Sequence, residues 1–395
     1  MYNHKMYEKG IKSSAIRELF EYGKLKKQEL GEDKVFDFSI GNPNVKPPKC
    51  VNDSLIKLLE NDEHIHEYTS APGDLNVRIS VAEYLNKMHQ TTFSHNFIYM
   101  TTGAAAALTI SFNALLNDSD EAIVFAPFFP EYKVFVESAN GKLIVVNPNC
   151  KTFVPDYTDF ENKITEKTKV VIINSPNNPT GVVYSEDDIK DIARILTIKA
   201  KKYNHPIYIV TDEPYRELAY DDTVVPFIPN YYDNTIVCYS FSKSLSLPGE
   251  RIGYIAIGPK ASYAKEIFAA VCGAGRSLGY VCAPALFQKM VIDCLGQTSD
   301  INIYKKNRDL LYNALVEYGY EVVKPKGAFY MFVKALESDA QMFSDYAKKY
   351  QLLLVPSDSF GYNGYVRISY CVSTKQIVDS LPFFKKLIED YKKRG

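Results

Sequence analysis

The chain of 395 residues contains no tryptophan, so any ring stacked on a planar ligand must come from its 22 phenylalanines, 30 tyrosines or 6 histidines. An excess of charge is equally lacking: 46 Lys plus Arg stand against 47 Asp plus Glu, a net of −1. Nucleic acid and anionic membranes therefore find no electrostatic footprint, and neither is expected as a partner. Cys50, Cys150, Cys238, Cys272, Cys282, Cys294 and Cys371 show no Cys-x-x-Cys spacing and read as free thiols in a reducing compartment. His64 and His66 have no partner cluster, so no metal site is expected. No apolar run approaches the roughly 18 residues of a membrane span. The start, Met1-Tyr2-Asn3-His4-Lys5, is polar and lacks an apolar targeting core, so a cytoplasmic protein is expected. Gly-x-Gly-x-x-Gly and P-loop patterns, internal repeats and low-complexity linkers are also missing, which leaves dinucleotide and ATP binding without support.

What is present is alternation. Apolar, β-branched runs at Lys169–Asn174, Ile207–Val210, Thr235–Tyr239 and Ile252–Ile257 alternate with stretches of helical period. This predicts an α/β fold with a mostly parallel sheet covered on both faces by helices. Ser185 and Asp188 form a capping-box pattern before the stripe Ile189, Ile192, Ala193 and Leu196, which predicts a helix. The apolar Phe97–Met100 leads into Thr102-Gly103-Ala104-Ala105, small residues that open a helical pattern to Leu116. Strand, small residues and helix start suit an anion held by backbone amides at Ala104 and Ala105; tight helix-to-sheet packing is the other reading. Beyond residue 285 follow a long helical stretch, a hairpin-like segment around Lys324–Tyr330, a helix near Gln341–Tyr350 and a strand at Arg367. Pro382 is expected to delay or kink the last helix.

The densest pattern is Asp212-Glu213-Pro214-Tyr215 after one apolar run and Ser240-Phe241-Ser242-Lys243 after the next, with Arg251 eight residues on. A lysine near other cations or partly desolvated can lose its proton near neutral pH and attack an aldehyde. A carboxylate can keep a ring nitrogen protonated, and an arginine fork with a serine hydroxyl can hold a phosphate. With Leu247-x-Gly249-Glu250-Arg251-x-Gly253 included, the segment resembles the class I/II aminotransferases, the aspartate aminotransferase-like group of fold-type I pyridoxal-phosphate enzymes.

The resemblance runs along the whole chain, and it implies roles. The cofactor would be pyridoxal 5′-phosphate, joined to Lys243, with Asp212 on its pyridine nitrogen and Tyr215 and Asn178 of Asn178-Pro179-Thr180-Gly181 on its phenolic oxygen. Gly103, Ala104, Ala105, Ser240, Ser242 and Arg251 would hold its phosphate. Phe129 stands where many relatives stack a tryptophan; it keeps the stacking face and drops the indole N–H. Tyr68, in Tyr68-Thr69-Ser70-Ala71-Pro72-Gly73, matches a loop that reaches the phosphate of a neighbouring subunit, which implies a homodimer with shared active sites. Arg367 would grip the substrate α-carboxylate near Gly41. Arg276 is a candidate for a distal carboxylate, with a structural salt bridge as the alternative.

The implied reaction is ping-pong transfer of an amino group between an L-amino acid and a 2-oxo acid, one of them a dicarboxylate. A carbon–sulfur lyase is the enzymatic alternative, because the same carbanion can eliminate. A non-catalytic effector-sensing domain is a further one, though the chain lacks the basic DNA-binding extension that such regulators carry. The implied organisation is an N-terminal segment, 1–45, joining a small domain at 286–395, with a large cofactor-binding domain at 46–285 between them.

Overall fold

The protein is described here by a computed structural model covering residues 1–11 and 15–394. Its central sheet has seven strands: β1 (Ile98–Thr101), β2 (Glu121–Phe125), β3 (Lys142–Val146), β4 (Thr168–Asn174), β5 (Tyr208–Asp212), β6 (Thr235–Ser240) and β7 (Gly253–Ile257). They lie in the order β1-β7-β6-β5-β4-β2-β3. Only the two pairings made by β7 are antiparallel. The mostly parallel, helix-covered sheet expected from the alternating pattern is therefore the one observed.

Side chains alternate across each strand, so a sheet buried on both faces needs apolar residues at consecutive positions. In β4, Val170 and Ile172 pack with Ala107, Leu108 and Val271 of the helices Ala104–Leu115 and Ala264–Leu278. Val171 and Ile173 face the other way, onto Ile189, Ile192 and Leu196 of the helix Glu186–Tyr203. That helix starts with the capping box expected of Ser185 and Asp188.

A second, antiparallel sheet joins β8 (Tyr330–Lys334), β9 (Val355–Pro356) and β10 (Tyr365–Ser369) in the order β9-β10-β8. Its core contains Leu311 and Leu315 of the helix Ile301–Tyr318 and Phe384 and Leu387 of the last helix, together with Phe36 and Phe38 from the N-terminal segment. Phe36 and Asp37 also pair in parallel with Leu352 and Leu353. The helix Ala285–Cys294, by contrast, sends Met290, Val291 and Cys294 into the cluster of Val77, Val81, Met100 and Val237, beside the large sheet.

The last helix runs from Thr374 to Arg394 straight through Pro382. The expected delayed start does not occur. Ile377 before the proline and Phe384, Leu387 and Ile388 after it are all buried, and burying one continuous apolar face outweighs the local loss of a backbone hydrogen bond.

Candidate active site

Parallel strands present their carboxyl ends on one edge of the sheet, where open α/β folds bind ligands. On that edge, β4 ends at Asn174, β5 at Asp212 and β6 at Ser240, while β1 ends one residue before the turn to Gly103. The antiparallel β7 starts there instead, so Arg251, two residues ahead of it, reaches the same edge. The cleft, of about 270 Å³, is lined by Gly41, Ala104, Ala105, Phe129, Asn178, Asp212, Tyr215, Ser240, Ser242, Lys243, Arg251 and Arg367.

The groups lining the cleft differ in chemistry. Asp212 is buried; one carboxylate oxygen accepts from the Tyr132 hydroxyl at 2.6 Å, and the other has no partner. Burial raises its pKa to about 7 against the pull of the Tyr132 hydrogen bond, with Glu213 adding to the rise. An orphaned acid of this kind is matched by a cationic N–H. Next to Ala104 of the lining, Gly103 adopts φ +83°, and a Cβ there would come within 3.1 Å of the Arg251 guanidinium. Only glycine avoids both conflicts. No side chain caps the helix that begins at Ala104, so its first amides stay open to an anion beside Arg251. Ser240 accepts from the Ser242 amide at 3.2 Å, and the two hydroxyls bond each other at 2.8 Å.

Lys243 lines the same cleft and donates to the Gly41 carbonyl at 2.7 Å. Burial lowers its pKa to about 8; nearby Cys371 opposes the shift, and Arg251 and Arg367 add to it. Near neutral pH a usable fraction of the amine is free to act as nucleophile or base. Arg367 is buried in the cleft lining, donating to the Ser39 carbonyl at 2.5 Å and to Asn178 Oδ1 at 3.2 Å, while its Nε has no partner. An arginine with a free donor suits a carboxylate.

Tyr68 and Arg276 are not brought to this cleft within the chain. Tyr68 is 97% exposed, and Arg276 is exposed in the last turn of the helix Ala264–Leu278. Two contributors were missed by the sequence reading. Tyr132, three residues after Phe129, holds Asp212. Tyr330 lines the cleft and meets the Tyr215 hydroxyl at 3.0 Å. Tyr132 follows Phe129 in Phe128-Phe129-Pro130-Glu131-Tyr132 and Tyr330 closes the Lys324–Tyr330 segment; a hydroxyl within a few residues of a phenylalanine was the available signal. Among the described residues no group of three His, Cys, Asp or Glu side chains could hold a metal. None of their helices is long and apolar enough to cross a membrane.

A lysine at the carboxyl edge of the sheet, sharing one cleft with an orphaned acid and with open helix amides beside an arginine, suits an α/β enzyme of carbonyl–amine chemistry. The chain belongs to the aminotransferase class I and II family, whose model matches residues 33–381, and it is an aminotransferase. It is 30% identical to the aspartate aminotransferase of Thermotoga maritima over 89% of this chain and 90% of that protein. A crystal structure of an amino transferase from Eubacterium rectale superposes with TM-score 0.97 at 53% identity, covering 99% of both chains. The aspartate aminotransferase of Thermus thermophilus, solved with maleate, has TM-score 0.85 at 26% identity, covering 98% of this chain and all of that one.

Proposed function

We propose that the cleft binds pyridoxal 5′-phosphate and exchanges amino groups between an L-amino acid and a 2-oxo acid, one of them a dicarboxylate. The observation that carries this is Lys243 sharing one cleft with an unpartnered Asp212 oxygen and an unpartnered Arg367 Nε. When bound, the cofactor supplies an aldehyde and a protonated ring able to spread the negative charge left on a substrate α-carbon. Asp212 would hold the ring nitrogen's proton, and Phe129 would pack on the ring face. Tyr215 donates to the phenolic oxygen, as does the Asn178 amide nitrogen, because its Oδ1 is already engaged by Arg367. Arg251, Ser240, Ser242 and the amides following Gly103 hold the phosphate.

Arg367 fixes the substrate α-carboxylate, and this orients the α-hydrogen toward Lys243. The Lys243 amine would take the α-proton and return it along the same face; water would supply the oxygen of the departing 2-oxo acid, and the amino group, held meanwhile by the cofactor, would pass to a second 2-oxo acid by the reverse sequence. Because Arg367 retains the carboxylate, transfer is favoured over decarboxylation.

We infer a homodimer in which Tyr68 of one subunit completes the other's phosphate site and Arg276 reaches a distal carboxylate. The dicarboxylate choice is supported by the aspartate aminotransferase names of the relatives. The larger domain is taken to hold the seven-stranded sheet and to extend through the helix Ala285–Cys294; the smaller then combines the N-terminal 1–45 with the chain beyond it. A cytoplasmic setting fits seven free cysteines. The test is a panel of donors with 2-oxoglutarate, pyruvate and oxaloacetate. Parallel double-reciprocal lines with glutamate or aspartate among the products are expected. Ammonia and pyruvate from cysteine-like donors, without amino transfer, would replace this reading by a carbon–sulfur lyase.

A further inference from the structure

Tyr330 begins β8 and is buried at the meeting point of three site elements. Its hydroxyl is 3.0 Å from that of Tyr215. The face of its ring lies under the Arg367 guanidinium, 4.7 Å from ring centroid to Cζ. Its phenol also fills the space beside Gly41, where any Cβ would collide with it, and the Gly41 carbonyl is the acceptor for Lys243. One side chain thus touches the phenol facing the ligand ring, the arginine facing the substrate carboxylate and the backbone that receives the lysine.

The hydrogen between the two phenols can belong to either oxygen. If Tyr215 donates to Tyr330, Tyr215 has no hydrogen left for a ligand in the cleft. If Tyr330 donates, the Tyr215 hydrogen is free to point into the cleft, and the chain Tyr330 to Tyr215 to ligand oxygen is polarised in one direction. Arg367 selects the second arrangement, because a cation over the ring makes the phenol a better donor. Consistent with this, Arg367 opposes the rise that burial imposes on the Tyr330 phenol.

We propose that Tyr330 is a positioning residue with two separable parts: its hydroxyl aims the Tyr215 hydrogen into the cleft, and its ring holds Arg367 for the carboxylate. This rests on the reading of Tyr215 and Arg367 given above. The separation is what makes it testable. Tyr330→Phe removes the hydroxyl and keeps the ring; Tyr330→Leu removes both.

Two readouts on the cofactor-loaded protein distinguish the parts. One is the pH at which the Lys243 nitrogen of the loaded enzyme loses its proton, followed by visible absorbance. A weaker Tyr215 donor leaves the neighbouring ligand oxygen freer to hold that proton, so the midpoint moves up in both variants. The other is the calorimetric affinity for succinate, an unreactive dicarboxylate. It stays within about twofold in Tyr330→Phe and weakens by roughly 3- to 30-fold in Tyr330→Leu, the range expected for one cation–π contact. In turnover, Tyr330→Phe lowers kcat with little change in KM, and Tyr330→Leu raises KM as well.

A wild-type midpoint in Tyr330→Phe would overturn the hydroxyl's role. Equal succinate losses in the two variants would overturn the ring's. Wild-type protein that fails to take up pyridoxal phosphate would instead remove the functional reading beneath both, which separates the two failures.

Discussion

At the scale of single residues, the site is a set of groups held away from their ordinary charge states. Asp212 keeps its proton up to about pH 7 because burial penalises the carboxylate more than Tyr132 stabilises it. The sign of the stability effect follows. Between pH 4 and 7 the unfolded chain has lost this proton while the folded apoprotein retains it, so the folded state loses stability as pH rises. The shift of about three pKa units corresponds to roughly 4 kcal/mol across that window. Asp212→Asn apoprotein, followed by urea unfolding at several pH values, should therefore gain stability relative to wild type as pH goes from 4 to 7. A constant difference across the window would show that Asp212 is ionised throughout. Lys243, Asp212, Tyr215, Ser240 and Arg251 could be named from sequence because they sit at short offsets in one strand–loop–strand stretch. The hydrogen bonds of Tyr132 to Asp212 and of Tyr330 to Tyr215 could not, because they join residues 80 and 115 positions apart.

At the scale of elements, one rule explains the placement: functional groups follow the carboxyl ends of the strands, and the reversed β7 contributes its start. β1, β4, β5, β6 and β7 were legible from short apolar runs, since burial on both faces demands such runs, whereas β2 and β3 were not named from sequence. The order β1-β7-β6-β5-β4-β2-β3 was not, because pairing between distant segments leaves no local trace. The continuous helix through Pro382 was missed for a related reason: the apolar stripe that overrides the proline is satisfied only by the folded core. The turn between β1 and the helix Ala104–Leu115 offers a direct test. Gly103→Val must adopt φ +83° and push against Arg251, so it should weaken phosphate-ester binding by on the order of tenfold or more, with a loss of roughly 1–3 kcal/mol in stability from the strained backbone. Isothermal titration of the apoprotein with pyridoxamine phosphate measures the first, thermal unfolding the second. Unchanged affinity would place the phosphate away from this turn.

At the scale of the whole molecule, two residues named from sequence, Tyr68 and Arg276, lie outside their own chain's cleft, and both are exposed. The proposed homodimer would give them a function. Mixing Lys243→Ala chains with Tyr68→Ala chains should produce hybrids in which one of two sites has both groups, and activity above either parent. Recovery must be absent if Tyr68 serves no neighbouring site, once subunit exchange is demonstrated by native mass spectrometry. In the same assembly Arg276→Ala should raise KM for aspartate and glutamate while sparing alanine. If a neighbouring subunit's site encloses Arg276, losing that charge partner costs roughly 2–5 kcal/mol, and equal losses for all donors would make Arg276 structural.

The whole reading depends on one covalent link. Wild-type protein incubated with pyridoxal phosphate, reduced with borohydride and digested should carry the added mass of the reduced cofactor on the peptide containing Lys243, and Lys243→Ala should carry none. The same mass found on another lysine, or retained at full occupancy in Lys243→Ala, would contradict the placement of the chemistry at the end of β6.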